Sequence, residues 1–131
     1  MEIFFATSNS HKVSEAAAIL DPLGHRVQPL LLNGRPLELV EPQAEGIEEV
    51  ARSKLEQAVE ATSGMLGSQT AILVEDSGLF VDSLGGFPGP FSSYVESTIG
   101  LQGILSLMEL SLIHISEPTR PRLISYAVFC L

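Results

Sequence analysis

The sequence has no tryptophan and a single cysteine, Cys130. One thiol cannot form an internal disulfide, and a reducing compartment fits that. Basic residues are scarce, 7 against 16 acidic ones, for a formal net charge of −9. A chain this acidic does not hold nucleic acid polymers non-specifically, although one local basic site can still take a metal-bound nucleotide. Long apolar runs are missing too. The opening stretch, MEIFFATSNSHK, has no basic segment and only a short apolar run, and no later run approaches the ~18 residues that span a bilayer. The expectation is a cytoplasmic chain with no membrane partner. Histidines are few, His11, His25 and His114, and neither a Ser, His and Asp set nor a Cys and His pair points to covalent catalysis. A length of 131 residues allows at most one domain.

What is present centres on Ala71 to Phe91, AILVEDSGLFVDSLGGFPGPF. Ala71, Ile72, Leu73 and Val74 show no polar alternation, which predicts a central strand covered on both faces. Glu75 and Asp76 are expected where that strand ends, since open α/β sheets hold ligands outside their strand ends and a rigid strand fixes carboxylates closely. Such a pair can hold a metal or a water nucleophile. Gly78, Gly85, Gly86 and Gly89, with Pro88 and Pro90, then mark backbone that turns sharply and lies close to something else. Taken alone, Asp76-Ser77-Gly78 reads as an acidic surface turn.

In chain order, Ile3 to Ala6 makes a short strand, and Thr7 to Ser10 favour a turn and a helix N-cap. A helix is predicted from Ser10 to Leu20, with Val13, Ala16, Ala17, Ile19 and Leu20 on its apolar side and Gly24 just beyond it. Hydroxyls, free backbone N–H groups and the positive helix end then face an anion, with Lys12 in the first turn. Val27 to Leu32 is a second strand that Pro29 moves to a sheet edge, and Asn33 to Pro36 a turn. Glu38, Glu41, Glu45, Glu48 and Glu49 form a solvated acidic cluster near a helix start. Ile47 to Ser63 is the clearest helix, with Gly64 at its end. Ser92 to Ile99 and Leu101 to Glu109 read as helical pieces split at Gly100. His25, beside Gly24, is expected at the surface. Strands alternating with helices predict an α/β sheet.

Two motifs carry a resemblance. Glu75-Asp76-Ser77-Gly78-Leu79 followed by Leu84-Gly85-Gly86-Phe87-Pro88-Gly89-Pro90-Phe91-Ser92 resembles the core signature of the inosine triphosphate pyrophosphatase (Ham1-like) family. Thr7-Ser8-Asn9-Ser10-His11-Lys12 is similar to that family's Thr-Gly-Asn-x-x-Lys phosphate loop, with Ser8 in place of the glycine. The resemblance covers residues 1–109. It implies a mixed twisted sheet flanked by helices, Ham1/Maf-like and here truncated. It also implies Mg²⁺-assisted hydrolysis of non-standard purine nucleoside triphosphates to monophosphate and pyrophosphate by a homodimer. By the same resemblance, Asp76 is the general base and a metal contact, Glu41 a metal ligand, and Glu75 a supporting metal ligand. Thr7, Ser8, Asn9 and Lys12 hold phosphate, and Ser77 touches the substrate. The family's aromatic-Trp-Asp and Ser-His-Arg elements have no counterpart. A Maf-like pyrophosphatase shares the general fold but lacks the Gly-Gly-x-Pro-Gly-Pro loop; a non-catalytic fragment that binds metal or polyphosphate stands as the other alternative.

The last stretch reads differently. Leu110 to Arg120, LSLIHISEPTR, resembles the translation of an adapter end used in transposon-based sequencing libraries. Ile124 to Leu131 resembles the continuation of the same adapter, with Pro121, Arg122 and Leu123 filling its variable index. Residues 1–109 are therefore expected to be the amino-terminal part of a domain, and residues 110–131 a non-biological tail. Its alternating apolar residues still allow a strand along an open sheet edge.

Overall fold

The computed structural model describes residues 1–44, 46–112 and 121–130. Two compact units divide them, one formed mainly by Met1–Gln43 and Val50–Glu75, the other mainly by Asp76–Tyr126.

In the first unit, β1 (Glu2–Phe5) leads into α1 (Ser10–Leu20), and β2 (Arg26–Pro29) returns parallel to β1. The α1 bounds are those the sequence predicts, because the start and stop are chemically marked. Asn9 is the N-cap, its side chain accepting from the His11 N–H at 3.0 Å, and Gly24 closes the short 3₁₀ turn Asp21–Leu23 with φ +86°. β2 is an edge strand, as Pro29 requires. Beyond it, β3 (Leu31–Leu32) and β4 (Arg35–Pro36) pair antiparallel. The expected four-residue turn is thus shorter. Asn33 and Gly34 alone form it, at φ +53° and +77°, the two-residue Asn-Gly hairpin geometry, while Arg35 and Pro36 are extended. α2 (Ile47–Ala61) stops two residues before the predicted end.

β5 (Thr70–Val81) runs parallel to β1, and Ile3, Phe5, Ala71 and Leu73 form a buried cluster against Val13, Ala16, Leu20 and Val27. A fully buried leucine contributes on the order of 2 kcal/mol, so this cluster is what seats α1 on the sheet. Ile72 and Val74 alternate to the other face and are buried as well, as the unbroken apolar run predicts.

β5 corrects the expectation that the strand ends at Glu75 and Asp76. It continues through both carboxylates and Gly78 to Val81, giving its first half to one unit and its second half to the other. Part of the continuation is paired by the loop that follows the strand. β6 (Pro88–Gly89) pairs antiparallel with Leu79 and Phe80, and a Cβ on Gly78 would lie 2.3 Å from the Gly89 carbonyl oxygen. The Asp-Ser-Gly tripeptide is therefore strand whose glycine makes room for another backbone, not a surface turn.

In the second unit α3 (Ser92–Thr98) and α4 (Gly100–Leu112) meet at Gly100, where the sequence places the break; φ is +65° there. α4 runs on past Glu109 because Leu110, Ser111 and Leu112 carry no stop signal. Val81, Val95 and Ile104 form this unit's core, with Leu79, Leu84 and Met108 packed on it. β7 (Pro121–Cys130) pairs with β5.

His25 is half-buried rather than at the surface. Its backbone N–H donates to the Leu20 carbonyl at 3.2 Å, and its Nδ1 is shielded from solvent with no hydrogen-bond partner among the described residues. Glu38, Glu41, Glu48 and Glu49 are exposed, as expected of a solvated cluster; Glu45 and His114 lie outside the described residues. Among the described residues no helix is long and apolar enough to cross a membrane.

Candidate functional site

The loop after β1 is built by local hydrogen bonds. The Thr7 hydroxyl oxygen accepts from the Asn9 N–H at 3.1 Å, and Asn9 in turn caps α1. Thr7 is half-buried while Ser8 and Asn9 are exposed. Lys12, in the first turn of α1, places its Nζ 2.5 Å from the Glu75 Oε2, with the lysine side chain 36% and the glutamate 19% exposed. The strand pleat explains the meeting. Glu75 follows Ala71 and Leu73 at the two-residue period, and those are the β5 side chains that share a buried cluster with α1.

Asp76 falls on the alternate side of β5 from Glu75 by the same pleat and is half-buried. Ser77 is half-buried next to it and lines a cavity of about 390 Å³ within the second unit, together with Gly78, Leu79, Pro88, Ser92 and Ile104. Ser92 holds one wall. Its Oγ accepts from the Leu79 N–H at 2.7 Å and donates to the Gly89 carbonyl at 2.6 Å, tying the Gly-Pro loop to β5.

Glu41 pairs with Lys54 of α2, Nζ to Oε1 at 2.7 Å, the glutamate side chain 61% and the lysine 11% exposed. Sequence reasoning passed over Lys54. The signal was available, since Lys54 stands four residues after Val50 and four before Ala58, inside the buried stripe of α2. A charged residue at such a position needs a counter-charge, because burying an unpaired ammonium is costly.

The structure therefore brings Lys12 to Glu75 and Lys54 to Glu41. Among the described residues no three His, Cys, Asp or Glu side chains form a group able to hold a metal ion. The chemistry of Glu41, Glu75 and Asp76 does fit a hard divalent ion, which takes carboxylate oxygens. Glu75 and Glu41 are each paired with a lysine.

Comparison with known proteins gives a consistent result. The model of the Ham1 family matches residues 3–131. The chain is similar to the dITP/XTP pyrophosphatase of Ignicoccus hospitalis, 45% identical over 108 residues that cover 82% of this chain and 52% of that protein. It is 43% identical to the dITP/XTP pyrophosphatase of Hyperthermus butylicus over 82% of this chain and 50% of that protein, and 34% identical to the inosine triphosphate pyrophosphatase of Kluyveromyces lactis over 82% and 52%. The chain thus spans about half the length of the curated relatives it matches. Among solved structures, the HAM1 protein of Coxiella burnetii superposes with a TM-score of 0.70 at 21% identity, covering 98% of this chain and 71% of that one. The nucleoside-triphosphatase / dITP/XTP pyrophosphatase of Mycobacterium abscessus gives 0.64 at 22% identity, covering 99% and 71%. At these identities the structural likeness establishes the fold.

Proposed function

Because this chain belongs to the Ham1 family, we propose that it is the amino-terminal part of a nucleoside triphosphate pyrophosphatase. The complete enzyme hydrolyses non-standard purine triphosphates, those of deoxyinosine, xanthosine and inosine, to the monophosphate and pyrophosphate. The observation that carries this reading is the contact of Lys12 with Glu75: a phosphate-type loop and an acidic strand, 63 positions apart in sequence, meet through charged side chains.

In this reading Thr7, Ser8, Asn9 and Lys12 receive the phosphates, Lys12 as a point charge and the loop through hydroxyl and N–H donors. Asp76 takes a proton from the attacking water as general base, and Ser77 orients the substrate beside it. Glu41, Glu75 and Asp76 are the residues that would hold Mg²⁺, which supplies neutralisation of phosphate charge when bound. The substrate is thus a metal-bound nucleotide, as the acidic composition favours. We place the complete enzyme in the cytoplasm as a homodimer. Residues 110–131 remain, in this proposal, foreign to the domain, and the pairing of β7 with β5 reflects the tolerance of backbone hydrogen bonding for many sequences.

The test is a chimera joining residues 1–109 to the carboxyl-terminal half of the Ignicoccus hospitalis relative. It is expected to release pyrophosphate from dITP in the presence of Mg²⁺. Asp76→Asn should lower kcat by roughly 10²- to 10⁴-fold with the melting temperature unchanged, because only charge and basicity are lost. Full turnover by that variant overturns the assignment.

A further inference from the structure

The Lys12–Glu75 pair joins two groups that the proposed function gives to opposite ligands, the ammonium to phosphate and the carboxylate to a divalent ion. They belong to separate elements, and the packing of Val13, Ala16 and Leu20 against Ala71 and Leu73 sets α1 on β5. The fold itself imposes the contact, unlike a chance meeting of flexible surface chains. A partly buried pair also keeps more of its attraction than an exposed one, because water and salt screen it less.

We infer that Glu75 is a specificity-determining residue: by occupying Lys12 it makes the site select polyphosphate that arrives with a divalent cation over bare polyphosphate. This rests on the proposed function. A bare polyphosphate must displace Glu75 from the ammonium and then lies beside a carboxylate with no counter-charge, and like charges within ~4–6 Å oppose each other. Polyphosphate that enters with a cation brings compensation for the released carboxylate, so the same displacement is less costly. The second pair exerts less control of this kind. The Glu41 side chain is mostly exposed, so its carboxylate stays hydrated when Lys54 is taken over.

The experiment is calorimetric titration of the 131-residue chain with inorganic tripolyphosphate, with and without Mg²⁺. Wild-type chain is expected to bind more tightly with Mg²⁺. In Glu75→Gln, metal-free binding should tighten by roughly fivefold, the scale of a modest ion pair, and the Mg²⁺ enhancement should shrink by a similar factor. Equal or weaker metal-free binding by folded Glu75→Gln overturns the inference, as does the absence of any Mg²⁺ enhancement in the wild type. Glu75→Asp keeps a charge near the phosphates while loosening its hold on Lys12, so its Mg²⁺ enhancement should fall between those of wild type and Glu75→Gln; an enhancement below that of Glu75→Gln overturns the inference as well. Hydrolysis by the chimera without this selectivity discards the inference and keeps the proposed function, whereas selectivity without hydrolysis does the reverse.

Discussion

The two units solve their local problems with different materials. The first places Lys12, Lys54 and Glu75 on regular elements and Glu41 in the segment before α2, and cancels the charges in pairs. The second relies on backbone, where Gly78 and Gly89 lie in near contact and the Ser92 hydroxyl bridges strand and loop. The Lys12–Glu75 pair, which solvent still reaches, tolerates the loss of one partner because water can take over part of its role. A backbone contact with no room for a methyl group does not. The units should therefore differ in what a single substitution does: in the first it alters binding before stability, in the second stability before anything else.

Gly78→Ala tests the contrast most severely. The new Cβ would lie 2.3 Å from the Gly89 carbonyl oxygen and 3.0 Å from the Ile47 Cδ1. The isoleucine can shift, but the oxygen is backbone, and it belongs to the residue paired with Leu79. The pairing of β5 with β6 has to open, and a loss of about 3 kcal/mol is expected in urea unfolding. Stability within 0.5 kcal/mol of wild type, roughly the range of surface changes, would break the comparison.

Ser92→Ala is the milder probe of the same contact. It removes one hydroxyl and leaves both the Leu79 N–H and the Gly89 carbonyl without that partner. Unpaired groups in partly buried positions cost about 1–2 kcal/mol, and Ser92→Thr, which restores the hydroxyl, should recover most of it. Failure of threonine to recover stability would show that the space around Ser92, not the hydroxyl, matters.

This division also explains what the sequence disclosed. α1 was legible from Ser10 to Leu20 because its cap, its apolar stripe and Gly24 are all local signals. The buried run Ala71 to Val74 was legible for the same reason. The remainder of β5 was not, since two carboxylates and a glycine look locally like a turn, while the segments that pair with β5, among them β6 and β7, lie outside it in sequence. At the candidate site the residue types were readable and their partners were not. Nothing near Lys12 in sequence names Glu75, and the pair follows only once α1 packs on β5. Lys54 was the omission that local pattern could have prevented, a lysine within the apolar stripe of α2.

The smallest expected effect belongs to Asn9, and it sharpens the comparison most, because there stability and binding can be separated at a single position. The Asn9 side chain accepts from the His11 N–H at 3.0 Å and so caps α1, while the exposed residue is also proposed to meet phosphate. Asn9→Ala loses the cap, for about 1 kcal/mol. Asn9→Asp keeps an oxygen in the same place, and aspartate caps as well as asparagine and is favoured by the helix dipole, so stability should hold within about 0.5 kcal/mol. The carboxylate would nevertheless stand where phosphate is proposed to bind and repel it, so tripolyphosphate affinity should fall by roughly tenfold in a chain of unchanged melting temperature. Unchanged affinity in Asn9→Asp would remove Asn9 from the phosphate contacts and leave it only its helix cap. A drop in both quantities together would mean that this unit, like the other, cannot alter its ligand chemistry without altering its fold.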